Sequence, residues 1–181
     1  MAITWKVDPA HSEIQFKVKH LMITTVTGYF RTFDLVVETE TDDFNTAKRI
    51  EFTADIDSID TNNQQRDTHL KTADFFLSDE HRELRFVGKK YEGNGETAKL
   101  HGDLTIRGIT KPITLNVEFA GIVNDPWGQT KAGFSVSGQI SRKEFGLIWN
   151  AVTEAGQVVA SDQVRLHCEI QLVKQAAVAA V

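Results

Sequence analysis

Hydrophobic and polar residues alternate along most of the chain, with the period of two that is typical of β-strands. The pattern is clearest at residues 11–20, where Ile14, Phe16 and Val18 share one parity and charged or amide side chains occupy the other. The same alternation recurs at residues 51–58, 100–107, 113–119, 134–140 and 164–172, and further strands fit residues 26–40 and 83–90. We therefore predict about eight strands, each with one apolar face.

Short turn sequences separate these strands, for example EGNG at 92–95 and NDPWG at 124–128. Short connections favour antiparallel neighbours. Eight long antiparallel strands that are apolar on one side must close into a barrel or stack as a sandwich to bury that side, and their length favours the barrel. The pattern thus predicts an all-β fold built as an eight-stranded antiparallel β-barrel.

Two segments interrupt the alternation. In residues 61–81 we predict a short helical excursion at about 62–77, capped by Thr61 or Asn62 and lying across one end of the barrel. Its apolar edge consists of Leu70, Phe75, Phe76 and Leu77. The second segment, 141–157, carries Phe145, Leu147, Ile148 and Trp149, and we expect it to form part of the same rim.

The length of 181 residues and the absence of a linker-like composition indicate one domain over residues 1–174, with 175–181 as a loose C-terminal tail. The net charge of -5 argues against a nucleic-acid surface, and no apolar run is long enough for an integral membrane segment. Because no leader pattern precedes the first strand, we expect a cytoplasmic protein. The single cysteine, Cys168, lies on apolar parity and is expected to be a small buried hydrophobe.

Five blocks in order along the chain resemble the YceI-like family of polyisoprenoid-binding, lipocalin-like barrels. They are VDPAHSEIQFKVKHLMITTVTGYFRTF, SIDTNNQQRDTHLKTADFF, GDLTIRGITKPITL, DPWGQTKAGF and SRKEFGLIWN. The resemblance covers nearly the whole chain. It implies a lipocalin-like barrel of eight antiparallel strands whose lumen holds a long isoprenoid or related lipid, often as a dimer and without known catalysis. Many members are exported, and this sequence departs from them in showing no leader.

An eight-stranded barrel is either just filled by its side chains or able to hold one small ligand. Small residues on inward parity favour a cavity here, namely Ala54, Ser58, Gly102 and Gly138. Burial of a five-carbon isoprene unit yields on the order of 4 kcal/mol, whereas association costs roughly 4 to 15 kcal/mol. A chain of several units is therefore a better ligand than a short terpene. Together with the resemblance, this leads us to expect a polyprenyl chain such as an isoprenoid quinone or a prenyl diphosphate.

His20 is the first polar candidate, because it continues the apolar parity of Phe16 and Val18. It is either a core histidine with a buried hydrogen-bond partner or a residue that meets the polar head of a ligand near the barrel mouth. We predict the second role. Phe16, Val18, Phe30 and Phe134 are then expected to contact the chain of the ligand.

Arg66, Asp67 and His69 form the second polar group. Arg66 and Asp67 either tie the helical excursion to the barrel by an ion pair and capping, or Arg66 and His69 stand at the mouth. A guanidinium there would suit a diphosphate and would not matter for a quinone. Arg142 is predicted at a strand end on the rim, with a salt bridge to Glu144 or Asp162 as its structural alternative. Phe75, Phe76 and Trp149 are candidates for both core and ligand wall.

No metal site, cofactor or nucleophile is predicted, because the six histidines lack metal-ligand spacing and no Walker loop occurs. Two rival functions remain open. The first is an enzyme acting on a hydrophobic substrate with His20 as general base, which needs a second catalytic group. The second is a structural or stress-related module with a filled barrel. Val87 and Val173, which lie on the polar parity, and the resemblance both lead us to expect a homodimer.

Overall fold

The computed structural model describes residues 2–150 and 159–177, and the segments with alternating hydrophobic and polar residues form β-strands in it. Eleven strands occur in this part of the chain. They are β1 Ile3–Val7, β2 Glu13–His20, β3 Thr24–Phe30, β4 Phe33–Thr39, β5 Ala47–Asp55, β6 Ile59–Asp60, β7 Glu83–Asn94, β8 Thr97–Ile106, β9 Ile109–Asn124, β10 Thr130–Ser141 and β11 Ala160–Lys174. One helix, α1, spans Gln64–Leu70.

Every strand pairing is antiparallel, and the sheet closes on itself. The order is β1-β4-β5-β7-β8-β9-β10-β11, and β11 pairs back with β1. Beyond its pairing with β1, strand β11 pairs with β2, and the sheet continues from β2 through β3 to β6. The prediction of an eight-stranded antiparallel barrel is therefore confirmed.

The barrel wall has eight strand positions, which we call staves. Three of these staves are each formed by two successive strands, which accounts for eleven strands in all. β1 and β2 follow one another along β11, because Trp5 pairs with Lys174 and His20 pairs with Ala160. In the same way, β3 and β4 form one broken stave, and β5 and β6 form another. The predicted strands at 26–40 and 51–58 are therefore each interrupted, at residues 31–32 and at the 3-10 turn Ile56–Ser58.

An aspartate begins each of three 3-10 turns that interrupt or precede a strand. Asp8, Asp43 and Asp55 each accept a hydrogen bond from the backbone N–H two residues later, at 3.1, 2.9 and 3.1 Å. This local bond gives the backbone a partner outside the strand ladder. Because the turns Pro9–His11 and Ile56–Ser58 lie within staves, they bend the barrel wall without opening it.

Inward glycines make room for neighbouring side chains and not for a ligand, which corrects the reasoning from small residues. A methyl group at Gly102 would overlap the Phe86 ring, and one at Gly138 would lie 2.6 Å from Leu115 Cδ2. Ala54 is fully buried in the core, and Ser58 is bonded within the turn at residues 56–58. The barrel nevertheless encloses a cavity.

The helical excursion is confirmed as α1, with turns continuing to residue 77. Its cap is Asn63, whose side chain accepts from Arg66 N, so the prediction of Thr61 or Asn62 was wrong. Strand β11 ends at Lys174, and Gln175 N donates to Thr4 O at 2.8 Å. The remaining predictions for residues 151–157 and 178–181 lie outside the described part of the chain. No helix among the described residues is long and apolar enough to span a membrane.

Candidate functional site

A cavity of about 640 Å³ occupies the lumen of the barrel. All of the side chains proposed from the sequence as ligand contacts line this one space. They are Phe16, Val18, His20, Phe30, Arg66, His69, Phe75, Phe76, Phe134, Arg142 and Trp149. The strands bring them together because inward parity points to a common lumen, and α1 and the segment after β10 supply the remainder. The reading of a filled barrel is therefore wrong.

One end of the cavity, which we call the floor, is closed by aromatic rings. Phe44 lies at its centre, with ring centroids 5.0 Å from Trp5, 4.8 Å from Phe134 and 5.8 Å from Phe119. Trp5 is fully buried, and its indole Nε1 donates to Thr39 Oγ1 at 3.1 Å. The aromatic rings of the floor are thus densely packed, and the indole nitrogen of Trp5 has a hydrogen-bond partner, which suits a closed end of the lumen.

The opposite end, which we call the mouth, reaches solvent. Four lining residues are exposed, and all of them belong to the end of β2 or to the start of α1. They are Lys19, His20, Asn63 and Gln65. The cavity therefore opens to solvent beside α1 and the end of β2.

His20 is the last residue of β2 and is exposed at the mouth. The alternative of a buried core histidine is wrong, because the side chain is exposed, although His20 still pairs with Ala160 and Thr24 and lines the cavity. Within residues 2–150 and 159–177, its imidazole makes no hydrogen bond and has no second catalytic group bonded to it. The general-base reading gains no support from this geometry.

Arg142 is buried, with only 4% of its surface exposed, and it is bound by backbone carbonyls. Its guanidinium donates to the carbonyls of Ser161, Leu147, Trp149 and Ala160, at 2.8, 2.6, 2.8 and 3.2 Å. Burial lowers the pKa of Arg142 from its ordinary value. The predicted salt bridge to Glu144 or Asp162 is wrong among the described residues, since Asp162 instead accepts from Ser141 Oγ at 2.6 Å.

Arg66 and Asp67 both bind Thr61, the residue that follows β6. Arg66 Nε donates to Thr61 Oγ1 at 2.7 Å, and Asp67 Oδ1 accepts from Thr61 N at 2.9 Å. The two side chains thus tie α1 to the barrel, as one sequence alternative held, though through Thr61 and not as an ion pair with each other. Arg66 also lines the cavity, so a second role at the mouth stays a prediction.

His69 joins α1 to the segment after β10. Its ring lies edge-on to Trp149 at 4.8 Å and to Phe75 at 5.2 Å, and its Nε2 lies 2.8 Å from Asp74 Oδ2. Phe75 and Trp149 also contact each other, with centroids 5.3 Å apart. The cluster covers one side of the mouth and presents apolar ring faces to the cavity.

The wall between mouth and floor is aliphatic and aromatic. Phe16 packs on Phe30 at 5.5 Å, and Phe30 packs on Phe76 at 6.2 Å. Gly28 permits this arrangement, because a methyl group at that position would overlap the Phe16 ring. Cys168 also lines the lumen, and burial raises the pKa of its thiol to about 12, so it remains protonated and apolar in character.

Several lining residues were not singled out from the sequence. Phe52 and Phe86 lie on inward parity of β5 and β7 and could have been found by extending the alternation. Phe44 is different, because it lies in the 3-10 turn Phe44–Thr46. Its signal is a lone aromatic residue within the polar sequence TDDFNT, which has no reason to be apolar unless the turn folds inward.

The charged side chains that line the cavity are all cationic. They are Lys19, Arg66 and Arg142, and the described lining contains no Asp or Glu. No group of three or more possible metal-ligating His, Cys, Asp or Glu side chains occurs in the described ranges. The arrangement is suited to hold an apolar chain whose head is an acceptor of hydrogen bonds or an anion.

A protein-family model described as a YceI-like domain matches residues 5–172. A UPF0312 protein of Staphylococcus aureus is 40% identical over 167 residues, which cover 91% of this chain and 94% of the relative. A UPF0312 protein of Staphylococcus epidermidis is 39% identical over the same length and coverage.

Solved structures give the same picture. The YceI protein of Campylobacter jejuni is 33% identical, with a TM-score of 0.75 over 87% of this chain and 90% of the other. BcnA of Burkholderia cenocepacia is 20% identical, with a TM-score of 0.76 over 91% and 98%. A polyisoprenoid-binding domain from Saccharophagus degradans is 14% identical, with a TM-score of 0.68 over 94% and 98%. The last two likenesses concern the fold alone.

Proposed function

Because the chain belongs to the YceI-like family, we propose that it binds a long isoprenoid lipid in its lumen as a carrier, store or sensor, without chemical turnover. The observation that carries the proposal is the apolar cavity in the lumen, about 640 Å³ in volume, with an aromatic floor and a polar mouth. The S. degradans neighbour, described as polyisoprenoid-binding, agrees with this class of ligand.

In the proposed complex the chain lies along Phe16, Val18, Phe30 and Phe134, and the head stays at the mouth. Phe75, Phe76 and Trp149 cover the chain below α1. His20, Arg66 and His69 face the head, while Arg142 holds the wall behind it. Each buried methylene contributes about 0.8 kcal/mol, so affinity should rise with the number of isoprene units until the chain reaches the floor.

The cationic lining favours a prenyl diphosphate over an isoprenoid quinone. Lys19 and Arg66 supply charge that a diphosphate would engage, whereas a quinone offers carbonyl acceptors alone. Titration with diphosphates and quinones of matched chain length tests this order. Equal affinities would contradict recognition of the head group and leave only the proposal that the lumen binds the polyprenyl chain.

Lipid extraction or native mass spectrometry of protein purified from its own host tests whether the lumen carries a polyprenyl chain. Titration of delipidated protein with polyprenyl ligands of increasing length supplies the affinity. A protein that is empty in every preparation and fails to bind in titration would overturn the proposal.

A filled lumen gives a sharper test with a matched control. Val136 of β10 lines the cavity, and its neighbour Ser137 is exposed on the outer face. We expect V136W to lower the affinity for long chains by about tenfold or more, since the ring occupies the ligand's space, and S137W to leave it unchanged. Equal effects of the two variants would contradict binding in the lumen.

Assembly and location belong to the same proposal. We predict a homodimer, which sedimentation at micromolar concentration tests, and a cytoplasmic location, which fractionation of the host tests. Val87 and Val173, which first indicated a subunit contact, are both half-buried within the barrel wall. A subunit contact through these two valines would therefore bury less apolar surface, and stabilise a dimer less, than a contact through fully exposed side chains.

A further inference from the structure

Large apolar side chains are exposed at both ends of the barrel within the described ranges. At the mouth end they are Met22 at 57%, Ile23 at 75%, Ile109 at 36% and Ile148 at 68% exposure. At the floor end they are Val123 at 62% and Trp127 at 82%, beside and within the turn between β9 and β10. The mouth end therefore carries the larger group, and these residues surround the entrance to the ligand cavity.

The turn between β2 and β3 presents apolar residues that its geometry does not favour. Leu21 and Met22 have φ angles of 51° and 59°, in the left-handed region that suits glycine or asparagine. Ile23 N closes the turn by donating to His20 O at 3.1 Å. A turn of this shape accepts polar residues more easily, and its exposed Met22 and Ile23 side chains are therefore suited to an apolar partner outside the fold.

Three segments around the mouth form one continuous surface, which we call the apolar rim: residues 19–24, 107–111 and 142–150. Leu21 N donates to Val159 O at 2.9 Å, and the neighbouring Ala160 is bonded through both backbone groups to the side chain of Asn150. A methyl group at Gly146 would lie 3.1 Å from Ile109 Cδ1, so that hairpin adjoins the same segment.

Positive charge accompanies these apolar residues. The exposed cations of the apolar rim are Lys19, Lys111 and Lys143, whereas Arg107 is half-buried and donates to the carbonyls of Ala73 and Phe75. Glu144 is the one carboxylate in the three segments, although the chain as a whole has a net charge of -5. A rim with exposed apolar tips and local positive charge is complementary to an anionic lipid surface.

We propose that the apolar rim docks on an anionic bilayer, so that the cavity mouth faces the lipid. This inference rests on the proposed function, because a bound polyprenyl chain needs a route between bilayer and lumen. Each methylene exposed to water lowers the probability of escape roughly fourfold, so a long chain cannot leave through solvent at a useful rate. Contact between the mouth and the bilayer removes that barrier.

Vesicle flotation of the whole 181-residue chain without ligand tests the docking directly. We expect binding to vesicles containing phosphatidylglycerol, weaker binding to pure phosphatidylcholine, and a loss with rising salt. The double variant M22E/I23E should bind anionic vesicles about tenfold or more weakly. The double variant V123E/W127E is the matched control, since it places the same charges at the opposite end and should bind as the unmodified protein does.

The cationic contribution has its own variant. Lys143 is exposed and does not line the cavity, and K143E should weaken binding to anionic vesicles by roughly fivefold or more, with little effect on neutral ones. Circular dichroism and melting temperature confirm that each variant is folded. Titration with an uncharged polyprenyl alcohol in the absence of vesicles should give unchanged affinity for all of them.

Separate outcomes overturn the two proposals. Failure of the polyprenyl titration contradicts the proposed function, and it does not affect flotation of the empty protein. Docking is wrong if the unmodified protein does not float, or if V123E/W127E loses binding as M22E/I23E does. It is also wrong if M22E/I23E abolishes a dimer seen by sedimentation while vesicles bind neither form, because a second copy would then be the partner of the apolar rim.

Discussion

The floor and the mouth end the same barrel in opposite ways. At the floor, Trp5, Phe44 and Phe134 close the lumen with rings whose one polar atom is paired with Thr39. At the mouth, Lys19 and His20 are exposed, and the buried Arg142 is held by backbone carbonyls. Rings of this size fill space and need few hydrogen bonds, whereas a polar wall must satisfy each donor from the backbone.

This difference predicts the direction in which the proposed ligand would lie. An apolar terminus gains most by reaching the aromatic floor, and a polar head loses least by staying where solvent and cations are present. Stability and recognition are therefore expected to separate along the barrel axis. Substitutions at the floor should mainly affect folding, and those at the mouth should increasingly affect binding.

The largest effect is expected for F44A at the floor. Phe44 is 5% exposed and packs on Trp5, Phe119 and Phe134, so its removal should lower the free energy of unfolding by about 3–5 kcal/mol. Trp149 is half-buried at the mouth, and W149A should lower it by about 1–2 kcal/mol. Urea denaturation of the ligand-free variants measures both, and equal losses would contradict the contrast between the two ends.

An intermediate effect is expected for R142M, which removes the donor to four backbone carbonyls. We expect a loss of about 1–3 kcal/mol in the free energy of unfolding, because buried acceptors are left unpaired. R142K should recover only part of the loss, because an ammonium has fewer donors than a guanidinium and lacks its planar fork.

D162N is the control for charge pairing with Arg142. The two side chains form no ion pair, so D162N should cost less than R142M in the same urea titration. If D162N is as destabilising as R142M, the interpretation of Arg142 as a backbone-bound cation is wrong.

Alternation predicted the barrel because the strand pleat enforces it wherever one face is buried. Phe16, Val18 and Phe134 were placed in the lumen on that ground alone, and they line it. Parity did not predict burial at strand ends. His20 and Arg142 both line the cavity, yet His20 is exposed and Arg142 is buried, because backbone carbonyls beyond the strand ladder bind the Arg142 guanidinium.

Features that depend on local backbone bonds were missed for a related reason. The breaks after Asp8 and Asp55 have a readable signal, an aspartate that accepts from the residue two positions on, but such aspartates also occur in ordinary turns. Phe44 reaches the floor only because its turn folds inward. Glycine was misread because a missing side chain is filled by a neighbour as readily as by a ligand, as Phe86 fills the space at Gly102.

The smallest effect on stability is expected for H20L at the mouth. This variant should change ligand affinity and leave folding nearly unchanged, which is the opposite of what we expect at the floor. His20 is exposed and its imidazole has no hydrogen bond within the described ranges, so the free energy of unfolding should change by less than about 0.5 kcal/mol. Affinity for a polyprenyl diphosphate should fall by roughly three- to tenfold, because a charged hydrogen bond to the head is lost. Affinity for a polyprenyl alcohol of the same length should change less. T24L is the control, since Thr24 pairs with His20 across the hairpin but does not line the cavity. If H20L lowers the affinity for both ligands equally, or if T24L does the same as H20L, then His20 shapes the hairpin and does not recognise the head.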